Sequence, residues 1–141
     1  MTIYVASDHA GRETKEKAMD ALEELGYDYK DVSPENKEDD DYPDFAKKVC
    51  RHVQEDGRGF LSCGTGIGIG IAANKYDGIR AARVVDEEEA RLARRHNDAN
   101  ILVMGDHSNI EKEEMKDIIE TFYTTSFDGG RHERRVDKIG Q

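Results

Sequence analysis

Gly59-Phe60-Leu61-Ser62-Cys63-Gly64-Thr65-Gly66-Ile67-Gly68-Ile69-Gly70-Ile71-Ala72-Ala73-Asn74-Lys75 is the stretch that decides the fold. Its first five residues form an apolar run of buried-strand length, and glycines at alternate positions then lead into a pattern that turns helical toward Lys75. Strand, tight turn and helix start, in that order, make a βα unit. Alternating glycines let a ligand come close to the backbone. Successive N–H groups at such a turn, with a helix N-terminus behind them, form a concavity that attracts anions. Cys63 stands at the strand's end facing that concavity, and the same field favours thiolate over thiol. It is therefore the chain's candidate reactive group.

The alternation extends in both directions. Residues 3–6 read as an apolar strand ending in Ser7-Asp8-His9-Ala10-Gly11; a helix follows with Lys15, Ala18, Met19, Leu22 and Leu25 on one face and Gly26 as its stop. Residues 27–32 read as a second strand, short and polar enough for a sheet edge. The acidic run Ser33-Pro34-Glu35-Asn36-Lys37-Glu38-Asp39-Asp40-Asp41 reads as a solvated connection. Pro43 suits the first turn of a helix in which Phe45, Ala46, Val49, Cys50 and Val53 recur at helical spacing, so Cys50 is a core residue. Beyond the glycine-rich unit, residues 79–84 are a fourth strand, and Asp86 caps a helix that ends near His96-Asn97-Asp98. Residues 100–105 are a fifth strand. Ser108-Asn109-Ile110-Glu111 matches a capping box for a helix that buries Met115, Ile118, Ile119 and Phe122, and the basic segment from Gly129 to Val136 opens a short terminal helix.

Five strands alternating with helices predict an α/β fold: a single domain over residues 1–141, with a doubly wound, five-stranded parallel sheet, helices on both faces, Rossmann- or flavodoxin-like. Ligands in such sheets bind beyond the carboxyl ends of the strands at the switch point, where a flavodoxin-like order brings Asp8-His9 and Cys63-Gly64-Thr65 together.

A formal net charge of −10 argues against nucleic acid or an anionic membrane as partner, although a pocket can be locally basic. Two cysteines in neither a C-x-x-C nor a zinc spacing suit a reducing compartment. No signal peptide opens the chain and no run approaches a membrane span, so the expected location is the cytoplasm. Three familiar glycine motifs fail on spacing. A dinucleotide fingerprint counted from Gly64 needs glycine at Ile69, a P-loop needs Gly-Lys-Ser/Thr, and a cysteine-phosphatase loop needs arginine at Ile69. No histidine–carboxylate set has metal spacing; neither metal nor cofactor is expected. What remains is a thiol, a threonine hydroxyl, an Asp-His pair, a His-Asn pair and a C-terminal basic cluster, all expected at strand ends. Such an inventory suits proton transfer next to the carbonyl of a phosphorylated small molecule, with donors for the developing enediolate and a charged handle for the phosphate.

Several motifs stand in a fixed order along the chain: Ser7-Asp8-His9-Ala10-Gly11, Asp41-Tyr42-Pro43, Cys63-Gly64-Thr65-Gly66-Ile67-Gly68 with Ile71-Ala72-Ala73-Asn74-Lys75, Gly78-Ile79-Arg80-Ala81, Arg95-His96-Asn97-Asp98-Ala99-Asn100, and Gly129-Gly130-Arg131-His132 with Arg135. In these the chain resembles the type B ribose-5-phosphate isomerases and their galactose-6-phosphate isomerase relatives. The resemblance implies that Cys63 shuttles a proton between C1 and C2, with Thr65 and the N–H groups of the segment containing Gly64, Gly66 and Gly68 stabilising the enediolate. Some members use a glutamate at the position of Ile69, which cannot act here. His96 with Asp8 would assist opening of the furanose ring, Asn97 and Tyr42 would contact sugar oxygens, and His9, Arg131 and Arg135 would hold the phosphate. The resemblance further implies a homodimer or homotetramer with shared active sites, in which residues 129–141 serve phosphate binding and subunit contact. One departure stands out: His107 occupies a position where many members carry a phosphate-binding arginine. The implied reaction is interconversion of ribose 5-phosphate and ribulose 5-phosphate. Open beside it are the same chemistry on a hexose 6-phosphate or tetrose phosphate, and a non-catalytic phosphosugar sensor.

Overall fold

The computed structural model describes residues 1–141 as one sheet in strand order β2-β1-β3-β5-β4, every pairing parallel. The strands are β1 (Thr2–Ser7), β2 (Asp28–Asp31), β3 (Arg58–Cys63), β4 (Ala81–Arg83) and β5 (Ile101–Gly105). The helices are α1 (Arg12–Glu24), α2 (Tyr42–Glu55), α3 (Ile67–Ala73), α4 (Glu87–Asn97), α5 (Lys112–Thr124) and α6 (Arg131–Asp137). The doubly wound parallel sheet is as expected, except that β5 is inserted between β3 and β4, where a flavodoxin-like order places the fourth strand.

Alternate residues of the central strands face opposite sides, which divides the core in two. Ile3, Val5, Phe60, Leu102 and Met104 pack beneath Leu22 of α1 and Met115, Ile118 and Phe122 of α5. Ala6, Leu61, Cys63, Ile101 and Val103 pack beneath Phe45, Val49 and Cys50 of α2 and Ile69 and Ala73 of α3. Helices of connections that run toward β2 and toward β4 thus lie on opposite faces, as right-handed crossovers require.

Two local expectations are corrected. The fourth strand is shorter than residues 79–84: the Ile79 N–H turns back to Tyr76 O and the Arg80 N–H goes to Asn100 Oδ1, so neither donates to the neighbouring strand's backbone. The capping box does not form: Asp106–Ser108 is a 3-10 turn, Asn109 is left-handed at φ 46°, and Glu111 is the N-cap of α5 without a side-chain bond. The turn is drawn in by the His107 N–H, which donates to the Gly64 carbonyl at 2.9 Å. No helix is long and apolar enough to cross a membrane.

Candidate active site

The switch point lies between β1 and β3, and the loops leaving their C-terminal ends are pressed together. Asp8 caps the 3-10 turn His9–Gly11, its Oδ1 accepting the Gly11 N–H at 2.9 Å. A Cβ at Gly11 would stand 2.5 Å from the Ser62 carbonyl carbon, and the Ser62 hydroxyl donates to Gly11 O at 2.7 Å. Only glycine permits that approach. Burial pushes the Asp8 carboxyl above the usual carboxylate range, with the Gly11 N–H pulling the other way.

Cys63 ends β3 almost fully enclosed, and its Sγ accepts the Gly66 N–H at 3.2 Å. Gly66 makes this possible at φ 76°, where a side chain would be strained and would also meet the Met104 and Gly105 backbone at 3.0 Å. Thr65 Oγ1 accepts the Ile67 N–H at 3.1 Å, leaving its hydroxyl proton for another acceptor. Tyr42, in the first turn of α2, lays its ring against Gly68 so closely that a Cβ there would be 2.6 Å from the ring carbon Cζ. After β5, the His107 ring Nδ1 lies 3.2 Å from the same Gly64 carbonyl that takes its N–H, while Asp106 accepts the Thr14 hydroxyl at 2.7 Å. One edge of the sheet therefore gathers Asp8, His9, Tyr42, Cys63, the segment Gly64-Thr65-Gly66 with Gly68, and His107. Ile69, the alternative base position of the resemblance, is wholly buried in the core.

The remaining expected residues are elsewhere, and this corrects the reading that all of them sit at strand ends. A crossover helix runs antiparallel to the strands it joins, so His96 and Asn97, at the C-terminus of α4, reach the N-terminal edge of the sheet. The five residues of β5 set this edge ~16 Å from the Cys63 loop. There α6 packs on α4, and the His96 and His132 rings stack with centroids 4.3 Å apart and planes 8° apart. Burial, with the charges of His96, Arg131 and Arg135 beside it, holds His132 below the usual imidazole range. Arg131 and Arg135 belong to this second group. Within one chain the expected site is thus in two halves.

Two clusters bring three ligand-type atoms within 4.8 Å: His96 with Asp128 and His132, and Asp8 with His9 and Asp40. The carboxylates of both are already engaged, Asp8 by the Gly11 N–H. The Asp128 oxygens are held by Arg95 at 3.2 and 3.1 Å, and parallel stacked rings direct their lone pairs in parallel planes rather than at one point. Asp40 is bound by His9, Asn36 and the Lys37 N–H. Ion pairing suits both sets better than a cation does.

The sequence reading missed Asp40, hidden inside a charge run that looked like plain solvent-facing loop, and Arg83, whose Nε donates to Thr65 O at 2.8 Å. The run is in fact fastened to the site. Asn36 donates to Ser7 O at 2.9 Å, and Arg12 donates to Asn36 Oδ1 and Pro34 O at 3.1 and 3.0 Å.

Fold and cradle together define an α/β protein shaped to hold a small anionic molecule beside a strand-end cysteine. The chain belongs to the Ribose/Galactose Isomerase family, whose model matches residues 3–139. It is 43% identical over 140 residues to a probable ribose-5-phosphate isomerase B of Mycoplasma pneumoniae, covering 97% of this chain and 91% of that protein. The structure of a ribose 5-phosphate isomerase from Thermotoga maritima superposes with a TM-score of 0.91 at 49% identity, covering 98% of this chain and 96% of that one. Ribose-5-phosphate isomerase B from Mycoplasma genitalium, solved with bound ribulose-5-phosphate, gives a TM-score of 0.91 at 40% identity, covering 98% and 93%.

Proposed function

We propose that this protein interconverts ribose 5-phosphate and ribulose 5-phosphate, with Cys63 as the base. The observation that carries the reading is the Cys63 environment: an enclosed sulfur at the switch point, accepting the Gly66 N–H, within a turn whose glycines leave the backbone open to a ligand. In the open-chain aldose, Cys63 takes the C2 proton as the C–H electrons form the C1=C2 bond and the carbonyl oxygen becomes an enediolate oxygen. Thr65 and the cradle N–H groups donate to that oxygen. The thiol then returns the proton to C1, while the C2 hydroxyl proton passes to the O1 oxyanion, so that O2 becomes the ketone carbonyl, O1 a hydroxyl, and Cys63 a thiolate again. No electrons leave the substrate, so the step needs no cofactor.

The ring must open first, and His96, the histidine suited to that, is on the far edge of the sheet. The active unit is therefore a homodimer, or a homotetramer made of two such dimers. In it the partner subunit's His96 with Asp8 opens the furanose, the partner subunit's Asn97 and the local Tyr42 contact sugar oxygens, and the partner subunit's Arg131 and Arg135 join His9 and His107 around the phosphate. The segment 129–141 then serves phosphate binding and subunit contact at once, within one domain. Free Cys50 and Cys63 fit a reducing, cytoplasmic setting, and the acidic surface leaves nucleic acid and membrane aside as partners.

Turnover of the purified protein on ribose 5-phosphate, beside allose 6-phosphate, galactose 6-phosphate and a tetrose phosphate, tests the reading. The expected result is a kcat/KM highest for ribose 5-phosphate and a kcat lower by ~100- to 10,000-fold in Cys63→Ala, with sugar-phosphate binding kept. Preference for another sugar would move the substrate, with His107 the first place to look, and undiminished turnover in Cys63→Ala would remove the base.

A further inference from the structure

The acidic connection between β2 and α2 holds a carboxylate that does more than face solvent. Asp40 Oδ1 accepts the His9 backbone N–H at 2.8 Å and meets the His9 ring Nδ1 at 2.7 Å. Its other oxygen accepts from the Asn36 side-chain amide at 2.9 Å and from the Lys37 N–H at 3.2 Å. Burial pushes this carboxyl up, but the four donors outweigh it and hold it at about 2. It is ionised throughout the neutral range. An ionised carboxylate only accepts, so the proton between the two groups is on Nδ1. Backbone and ring of His9 are gripped by one oxygen atom, which fixes the side chain's direction, and Nε2 is left without a protein partner.

We propose that Asp40 is a positioning residue for substrate binding: by taking both the backbone N–H and the ring Nδ1 of His9 on one oxygen, it turns the ring so that Nε2 is the atom offered to the phosphate. The proposal rests on the isomerase reading of the site. The groups facing His9 agree with it. The hydrogen bond from Asp40, set against a small cost of burial and joined by the charges of Asp40, Asp8 and Asp39, raises His9 above the usual imidazole range. The hollow beside His9 is lined by Arg12 of α1 and by Glu35, Lys37 and Glu38 of the connection, and Arg12 is committed to Asn36, Pro34 and Glu16. Asp39 and Asp40 belong to the connection itself and Asp8 to the end of β1, so the carboxylates reach His9 from two elements.

For a group whose value is raised by its partner, charge persists below the raised midpoint and is lost as pH climbs through it. Substrate affinity should therefore weaken as pH rises past the His9 midpoint, and Asp40→Asn should bring that weakening to lower pH. The full-length protein, Asp40→Asn, Asp40→Glu, His9→Gln and the double variant are compared in two ways: proton NMR titration of the histidine ring protons, with His9 assigned by its absence in His9→Gln, and KM and kcat for ribose 5-phosphate from about pH 6 to about pH 9. The expected result for Asp40→Asn is a His9 midpoint moved down and, near neutrality, a KM raised on the order of tenfold, the loss of one charge-assisted hydrogen bond, with the change falling on KM rather than kcat. Asp40→Glu should recover part of the shift, and Asp40→Asn should add nothing in the His9→Gln background. An unmoved His9 midpoint, or an equal KM effect with and without His9, overturns the proposal. If the parent protein turns over no sugar phosphate, the isomerase reading fails by itself. The NMR arm, with inorganic phosphate as the titrant that shifts the His9 resonance, still decides whether Asp40 sets the charge of His9.

Discussion

His107 ties the third strand-end loop to the cradle, with its N–H and ring Nδ1 both on the Gly64 carbonyl oxygen at 2.9 and 3.2 Å. A histidine there offers one ring donor at a time to an anion, whereas an arginine would offer a forked, permanent charge. His107→Arg is expected to lower KM for ribose 5-phosphate by ~3- to 10-fold between about pH 7 and about pH 9, the gain of one charge-assisted contact. Steady-state kinetics across that range decide it; an unchanged KM means that position 107 does not touch the phosphate. Cys50 makes the opposite kind of statement. Burial alone pushes its thiol up to about 12, so its sulfur stays protonated and inert at any working pH and the chain's thiol chemistry is left to Cys63.

At the scale of elements, the weakest member of the sheet is β4, only three residues long and at an edge. Asn74, just past α3, covers that edge: its Nδ2 donates to Ala81 O at 2.9 Å and its Oδ1 accepts the Ala81 N–H at 2.8 Å, as a neighbouring strand would. Asn74→Ala is expected to reduce stability by ~1–2 kcal/mol for two partly exposed hydrogen bonds, read as a lower urea midpoint at unchanged m. A loss under about 0.5 kcal/mol would mean that water replaces both bonds freely. Such side-chain substitutes for ladder bonds explain what was not legible beforehand. The central strands announced themselves because burial on both faces demands continuous apolar runs, as in Phe60-Leu61 and Ile101-Leu102-Val103-Met104. The limits of β4 and the missing capping box depended on which backbone groups Asn100 and Gly64 would claim, contacts across 20 and 43 residues that no local pattern encodes.

At the scale of the molecule, the two halves of the expected site lie at opposite ends of the strands. The Cys63 half was legible because glycine spacing is a backbone requirement written directly in sequence, and the Gly66 and Gly11 approaches bear this out. The placement of His96 and Asn97 was not, because strand-end and helix-end motifs look alike until the direction of α4 is taken into account. Asp40 escaped for a third reason: a charge run gives no sign of which of its members meets a partner 31 residues away. On the proposed isomerase reading, separation of the halves makes association a condition of activity. If two copies complete each other's sites, Cys63→Ala and His96→Ala damage different subunits of the same pocket. The decisive measurement is therefore isomerase activity of the two inactive variants co-expressed and purified together. Random pairing makes about half of the dimers mixed, each with one intact site, so activity should return to about a quarter of the parent value. Co-expressed variants that stay as inactive as either alone would contradict the shared site, and with it the assignment of His96 to the chemistry at Cys63.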